Sequence, residues 1–384
     1  MKYYIIAGEA SGDLHGSNLI KELKKLDSSA DIRCWGGDKM QAAGGELVKH
    51  YSDLAFMGFT EVLINLRTIF KNLAFCKEDI LQYKPDTLIL IDYPGFNLRI
   101  ARWAREQGLR VIYYISPQVW AWKEGRVKMM KKCIDKMLVI LPFEKDYFKN
   151  KWNWEVEYVG HPLVEVVESY ELQATSYEPD NGQRTTGNQQ QATSNIIALL
   201  PGSRKQEILK KLPVMLEVSK SFPHYQFIVA KAPGVEETFY DELLKSYINV
   251  SYVSNQTYHL LLQAKAALVT SGTATLETAL FGVPEVVCYK GSFISYQIGK
   301  RLVKVKYISL VNLIMDKLVV KELIQDDMTV DNLKNELHEL LTNEHRKTEI
   351  KKEYAALKKV LSEGGNASSK AAQSIVHFLT SSAT

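Results

Sequence analysis

Lys2-Tyr-Tyr-Ile-Ile-Ala7 runs straight into Gly8-Glu-Ala-Ser-Gly-Asp13-Leu-His-Gly16. An apolar run of this length suits a strand buried on both faces, and the small residues after it form a loop that opens a helix. Strand, short loop and helix in that order form the repeating unit of a doubly wound parallel sheet. The glycine spacing is not the G-x-G-x-x-G dinucleotide pattern. Working outward, the same alternation recurs. Strands are expected at Asp31–Trp35, Thr87–Asp92, Arg110–Ile115, Lys136–Ile140 and Glu155–Val159. A second series follows at Ile196–Leu200, Gln226–Ala230, Asn249–Val253, Ala266–Thr270 and Glu285–Tyr289.

Between the two series lies Gln173–Asn195, a polar stretch rich in Gln, Thr, Asn and Ser with almost nothing to place in a core. Such a composition reads as a flexible linker or surface insert. The expected division is a first domain over 1–172, a linker over 173–195, a second domain over 196–345, and charged C-terminal helices over 346–384 that pack back on the first domain. The fold class is α/β, two doubly wound domains facing a cleft, with ligands expected beyond the carboxyl ends of the strands.

The 384 residues are 46% hydrophobic and 24% charged, with a net charge of +4. The length suits two domains. No apolar run reaches the roughly 20 residues needed to cross a bilayer, and a first segment that reads as a strand leads us to expect no signal peptide. The four cysteines, Cys34, Cys76, Cys133 and Cys288, have neither disulfide nor metal-ligand spacing. Buried thiols in a cytoplasmic enzyme are the plain reading. The mild positive charge permits attraction to anionic phosphate or lipid, and the absence of a recognition module argues against nucleic acid.

In the second half, Leu199-Leu-Pro-Gly-Ser-Arg204-Lys-Gln-Glu207 is a strand, a Pro-Gly turn and a helix start. Ser203 with Gln206 has capping-box spacing. Such a helix start is an anion site, to which Arg204 can add a bidentate grip; a well-capped helix with an exposed arginine is the plainer alternative. A second turn, Ser271-Gly-Thr273 leading to Glu277, would let a pyrophosphate approach the backbone while Glu277 can accept ribose hydroxyls; a Gly-rich turn with a solvated glutamate is the plainer alternative. Two such turns in one domain point to a nucleoside diphosphate. No Asp-x-Asp triplet or His/Cys cluster is present, so helix dipoles and Arg204, rather than a metal or other cofactor, are expected to stabilise the diphosphate.

In the first half, Asp92 closes the run Thr87-Leu-Ile-Leu-Ile-Asp92. A carboxylate there is either held by neighbours or used for chemistry. Glu9, Ser11, Gly12 and Asp13 suit sugar hydroxyls or amides, whereas His15 reads better as a helix-surface residue. Val62, Leu66, Ile69, Phe70 and Leu73 share one helical face, read either as core or as a surface for acyl chains and membrane. Trp120-Ala-Trp122-Lys-Glu-Gly-Arg126-Val-Lys128-Met-Met-Lys131-Lys132 mixes tryptophans with basic residues, as a headgroup interface or an ordinary amphipathic helix would.

Taken together and in order, these segments resemble the lipid-A-disaccharide synthase family. The resemblance rests on Gly8–Asp13, Met57-Gly-Phe-Thr-Glu-Val62, Ile91-Asp-Tyr-Pro-Gly-Phe-Asn97, Tyr114–Trp122, Leu141-Pro-Phe-Glu144, Gly160-His161, Leu199–Arg204, Ser271–Glu277, Arg301-Leu-Val-Lys304 and Tyr307–Leu313. It departs at the polar insert and at Gly95. The resemblance implies an inverting GT-B glycosyltransferase built from two Rossmann-like domains. It would transfer 2,3-diacylglucosamine from UDP-2,3-diacylglucosamine to the 6-hydroxyl of 2,3-diacylglucosamine 1-phosphate, at the cytoplasmic face of the inner membrane. Asp92 would be the general base. Gly202, Ser203, Arg204, Ser271, Gly272, Thr273, Glu277 and Asn312 would hold UDP, and a homodimer is compatible with the sequence. The competing readings are a UDP-N-acetylglucosamine 2-epimerase, a transferase using another lipid-linked acceptor, and a non-catalytic lipid- or nucleotide-binding module.

Overall fold

The computed structural model describes residues 1–54, 66–176, 195–291 and 305–381. They form two compact units, Met1–Pro162 with Leu361–Thr384, and Leu163–Val360.

The first unit is a parallel sheet of β1 (Lys2–Ala7), β2 (Asp31–Gly36), β3 (Glu46–His50), β4 (Thr87–Ile91), β5 (Val111–Tyr114), β6 (Lys136–Val139) and β7 (Glu157–Tyr158). Its spatial order is β3-β2-β1-β4-β5-β6-β7. The side chains of β1 alternate between two buried faces. Tyr4 and Ile6 join Leu88, Leu90 and Tyr113, covered by Ile80, Ile100 and Ala104 from the helices Leu66–Tyr83 and Pro94–Glu106. Tyr3, Ile5 and Ala7 join Ile89 and Ile91, covered by Leu19 and Leu23 of helix Ala10–Leu26 and by Ala371 and Ile375 of helix Ala367–Ser381. Each large apolar side chain so buried contributes about 1.5–3 kcal/mol. Both faces are therefore closed, as the continuous apolar strands require.

The last helix thus completes the first unit. Where the chain leaves and re-enters it, Gly160 and Gly364 pass backbone against backbone: a Cβ on Gly364 would stand 2.2 Å from the Gly160 Cα. Gly160 is also left-handed, at φ +93°. Only glycine fits this crossing.

The second unit repeats the plan with β8 (Ile196–Leu200), β9 (Gln226–Lys231), β10 (Val250–Ser254), β11 (Ala264–Thr270), β12 (Glu285–Tyr289) and β13 (Lys321–Ile324), again all parallel. Its order is β10-β9-β8-β11-β12-β13. In each sheet the strand order reverses at one place, between β1 and β4 and between β8 and β11. Loops on either side of a reversal diverge and leave room for a ligand. These are the loops that carry the expected motifs. The linker over 173–195 falls almost entirely outside the described residues.

Candidate functional site

In the first unit the loops at the reversal are Gly8–Glu9 and Asp92–Tyr93. Asp92 does not end the strand, as expected from the apolar run; β4 stops at Ile91 and the chain turns a corner. Asp92 and Tyr93 are both left-handed, at φ +44° and +46°. Such conformations cost about 1–3 kcal/mol each and persist only where the surroundings impose them. Here the Asp92 N–H donates to the Tyr114 carbonyl at 3.2 Å. The Asp92 carbonyl accepts from the Asn97 amide at 2.9 Å and the Tyr113 hydroxyl at 2.5 Å. Asn97 also donates to the carbonyls of Ile91 and Ile6, tying β4 to β1. Asn97 carries a supporting role that the sequence does not announce.

The Asp92 carboxyl is half-buried. Burial first, and then the negative charge of Glu9, push its pKa up to about 7, partly offset by the Tyr93 N–H. Glu9 is the extended residue that precedes helix Ala10–Leu26. The Tyr93 ring lies over Gly8, where a Cβ would come within 2.3 Å of it. The structure therefore brings Glu9 to Asp92. Ser11 is exposed and Gly12 is packed against Ala7. Asp13 is buried and engaged elsewhere, accepting from the backbone N–H groups of Gly37 at 2.7 Å, Met40 at 3.0 Å and Lys39 at 3.2 Å. His15, expected on the helix surface, is buried instead. Burial lowers its pKa to about 4 and that of His161 to about 3, so both rings are neutral near pH 7.

In the second unit the two turns flank β8 and β11. Gly202 is left-handed at φ +119°, and a Cβ there would meet the Glu207 carboxylate at 2.9 Å. The expected Ser203 capping box does not form. The turn stays extended through Arg204, which becomes the N-cap without a side-chain bond, and the helix runs Lys205–Ser219. Arg204 is left exposed, 3.4 Å from Glu207. The other Glu207 oxygen is 3.8 Å from Lys211, a buried cation whose ammonium donates to the Thr270 hydroxyl at the end of β11. Lys211 thus links the two turns. Its burial lowers its pKa, opposed by Glu207. In sequence it looks like half of a solvated Lys-Lys pair, and nothing marks it.

At the second turn, Gly272 has φ +143° and precedes helix Thr273–Leu280. Gly272 and Thr273 are exposed, and Ser271 donates to the Ile308 carbonyl at 2.8 Å. Glu277 lies one turn inside, its pKa raised to about 7 by burial while the Tyr258 hydroxyl donates to it at 3.4 Å. A desolvated carboxylate with a single tyrosine partner retains lone pairs for further hydroxyl donors. Asn312 is fully buried and its polar atoms are engaged within the unit: its oxygen accepts from Val319 and Val320, and its amide donates to Val320 and Glu322. It clasps the segment before β13.

The apolar stripe divides. Val62 and the Leu66 side chain lie outside the described residues. Leu73 is 7% exposed and belongs to the core, and Ile69 packs against it, which corrects their assignment to an outer surface. The helical period turns 69, 73, 76 and 80 inward. Phe70, one position on, is 64% exposed, with Phe75 and Leu81 also exposed. All four cysteines are buried and free.

Against known proteins, a family model described as lipid-A-disaccharide synthetase matches residues 3–378. A curated lipid-A-disaccharide synthase of Syntrophus aciditrophicus is 41% identical over 360 residues, 92% of each chain. One of Geobacter sulfurreducens is 38% identical over 369 residues, 94% of this chain and 93% of that one. Among solved structures, the UDP-GlcNAc 2-epimerase of Neisseria meningitidis bound to UDP-GlcNAc superposes with a TM-score of 0.63 at 14% identity, covering 99% and 100% of the two chains. The glycotransferase of kitacinnamycin gives 0.64 at 15%, covering 98% and 99%. These two likenesses establish the shared GT-B architecture.

Proposed function

The chain belongs to the lipid-A-disaccharide synthetase family, and from that premise we propose how its residues divide the family's reaction. The reaction is a glycosyl transfer: a diacylglucosamine leaves UDP and joins the 6-hydroxyl of a diacylglucosamine 1-phosphate. In our reading Asp92 removes the proton from that hydroxyl as its oxygen attacks the anomeric carbon. One base and one displacement invert the anomeric centre, and UDP leaves. The observation that carries this is the Asp92 carboxyl itself, half-buried at a pinned corner beside the strand-order reversal, with a pKa of about 7. A general base works best with its pKa near the working pH.

The first unit takes the acceptor, with Glu9 beside the base and the exposed Ser11 in the first turn of helix Ala10–Leu26, while the buried Gly12 and Asp13 fix that helix start from within. The second unit holds the donor nucleotide. Helix starts after Gly202 and Gly272 present N–H groups and positive dipole ends to the diphosphate. Arg204 adds a cation, Ser203, Ser271 and Thr273 line the turns, and Glu277 accepts the ribose hydroxyls. Asn312 supports this arrangement from within. No described helix is long and apolar enough to cross a membrane. Phe70 and Leu81, three turns apart on one side of helix Leu66–Tyr83, are exposed apolar side chains, which supports peripheral contact with the inner membrane where acylated substrates reside.

The test supplies both acylated substrates and follows the disaccharide 1-phosphate by mass spectrometry alongside UDP release. Asp92→Asn should lower turnover by about 10²–10⁴-fold while UDP still binds. Turnover at the parent rate would remove Asp92 from the chemistry.

A further inference from the structure

The segment leaving β5 is held against strain. Ile115 is left-handed at φ +67°, a conformation that β-branched residues rarely adopt, and Lys123 follows at φ +56°. Between them the Trp120 indole donates at 3.2 Å to the buried Glu144 carboxylate, whose other oxygen accepts the Leu141 N–H at 3.0 Å. The loop is therefore tied to the start of helix Pro142–Trp152. Strained backbone kept by such ties is a mark of a functional segment.

What the loop presents is cationic. Trp122 is 45% exposed, with the Lys123 ammonium 4.1 Å and the Arg126 guanidinium 5.9 Å from its ring centre. Glu124, which lies between them in sequence, turns instead to Lys151 at 2.5 Å and to the Tyr147 hydroxyl at 2.8 Å. Lys123 and Arg126 form no ion pair among the described residues. Burial and then the Arg126 charge lower the Lys123 pKa, so the two cations repel one another. An anion placed between them relieves that repulsion.

The cluster is also close to the base without touching it. Asp92 donates its N–H to Tyr114, the last residue of β5. Tyr113, which donates to the Asp92 carbonyl, feels the charge of Arg126. The charge acting on the Asp92 carboxyl is that of Glu9. A cation against Asp92 would lower its pKa and weaken it as a base.

We infer that Lys123 and Arg126, gathered on the Trp122 ring, bind the 1-phosphate of the acceptor sugar and so select a phosphorylated acceptor. The 1-phosphate is on C1 and the 6-hydroxyl on the arm of C5, the two carbons that flank the ring oxygen, so their sites must be neighbours that do not meet. A phosphate monoester carries close to two negative charges near pH 7 and matches two cations. This rests on the reading that the first unit takes the acceptor.

The test compares two acceptors, 2,3-diacylglucosamine with and without its 1-phosphate, in the full-length parent and in K123Q/R126Q. KM for the phosphorylated acceptor should rise on the order of 10- to 100-fold, with the donor KM and turnover of the unphosphorylated acceptor unchanged. K123R and R126K should restore most of the preference. An unaltered preference for phosphate, or equal losses on both acceptors, overturns the inference. A parallel arm measures sedimentation with phosphatidylglycerol/phosphatidylethanolamine vesicles. Loss of vesicle binding with phosphate preference intact also overturns it and assigns the cations to lipid headgroups. The base reading is scored separately, by turnover of Asp92→Asn, so either can fail alone.

Discussion

The raised pKa of Asp92 has a kinetic consequence that can be worked through in numbers. An ordinary aspartate, with a pKa of 3.8, is more than nine-tenths ionised at pH 5. With the carboxyl at about 7, only about one molecule in a hundred carries the ionised base at that pH. The pH dependence of kcat/KM should then rise about tenfold per unit from pH 5 to 6.5 and level off above about 7.5. Glu9→Gln removes the second-largest cause of the rise, so the acid limb should move to lower pH, on the order of one unit. Acid unfolding by this group cannot mimic the limb. A carboxyl whose folded pKa lies above its unfolded value stabilises the fold below about pH 4, and that stabilisation is lost as pH rises through about 7. Thermal midpoints recorded on the same samples separate the two effects. A profile flat between pH 5 and 8, in protein shown to be folded, would refute the assignment of Asp92 as the base in its observed setting.

Two further outcomes follow from the second unit and from the glycine crossing. Arg204→Ala removes the exposed cation beside the first turn and should weaken UDP binding by about 1.5–3 kcal/mol, read as a roughly 10- to 100-fold rise in Kd by titration calorimetry; the Asp92-dependent pH limb should stay where it is. Gly364→Ala drives a methyl into the Gly160 backbone and should cost about 1–3 kcal/mol or more, seen as a lowered thermal midpoint in the absence of substrates.

Much of the fold is legible in the chain because buried parallel strands are apolar on both faces and stand out from their surroundings. Ile196–Leu200 and Glu285–Tyr289 match the expected strands residue for residue. Two edge strands escape notice. Glu46–His50 and Lys321–Ile324 carry charged residues and have only one strand neighbour, so periodicity has little to act on. The site is legible to the same degree. Glycine turns after apolar strands mark their own position, whereas the partners that tune them do not. Asp92 is visible as a carboxylate after an apolar run, but its left-handed corner depends on Asn97, Tyr113 and Tyr114, contacts that only the folded chain creates. Lys211 is hidden for the same reason: a lysine four residues after a glutamate looks like any helix surface pair until β11 packs over it. The Ser203 cap fails because the helix starts one residue later than the capping pattern assumes, with Arg204 in the N-cap position.

The chain closes its first unit with its last helix. A ribosome working from the N-terminus releases Met1–Pro162 long before Ala367–Ser381 exists, so one face of the first sheet, with Ile5 and Ile89 upon it, waits only partly covered, by helix Ala10–Leu26, while the whole second unit is made. Exposed apolar surface of that kind invites aggregation or chaperone capture during synthesis. A nonsense codon shortly before Ala367 should therefore do more than trim a tail: it should leave a finished second unit joined to a first that cannot seal.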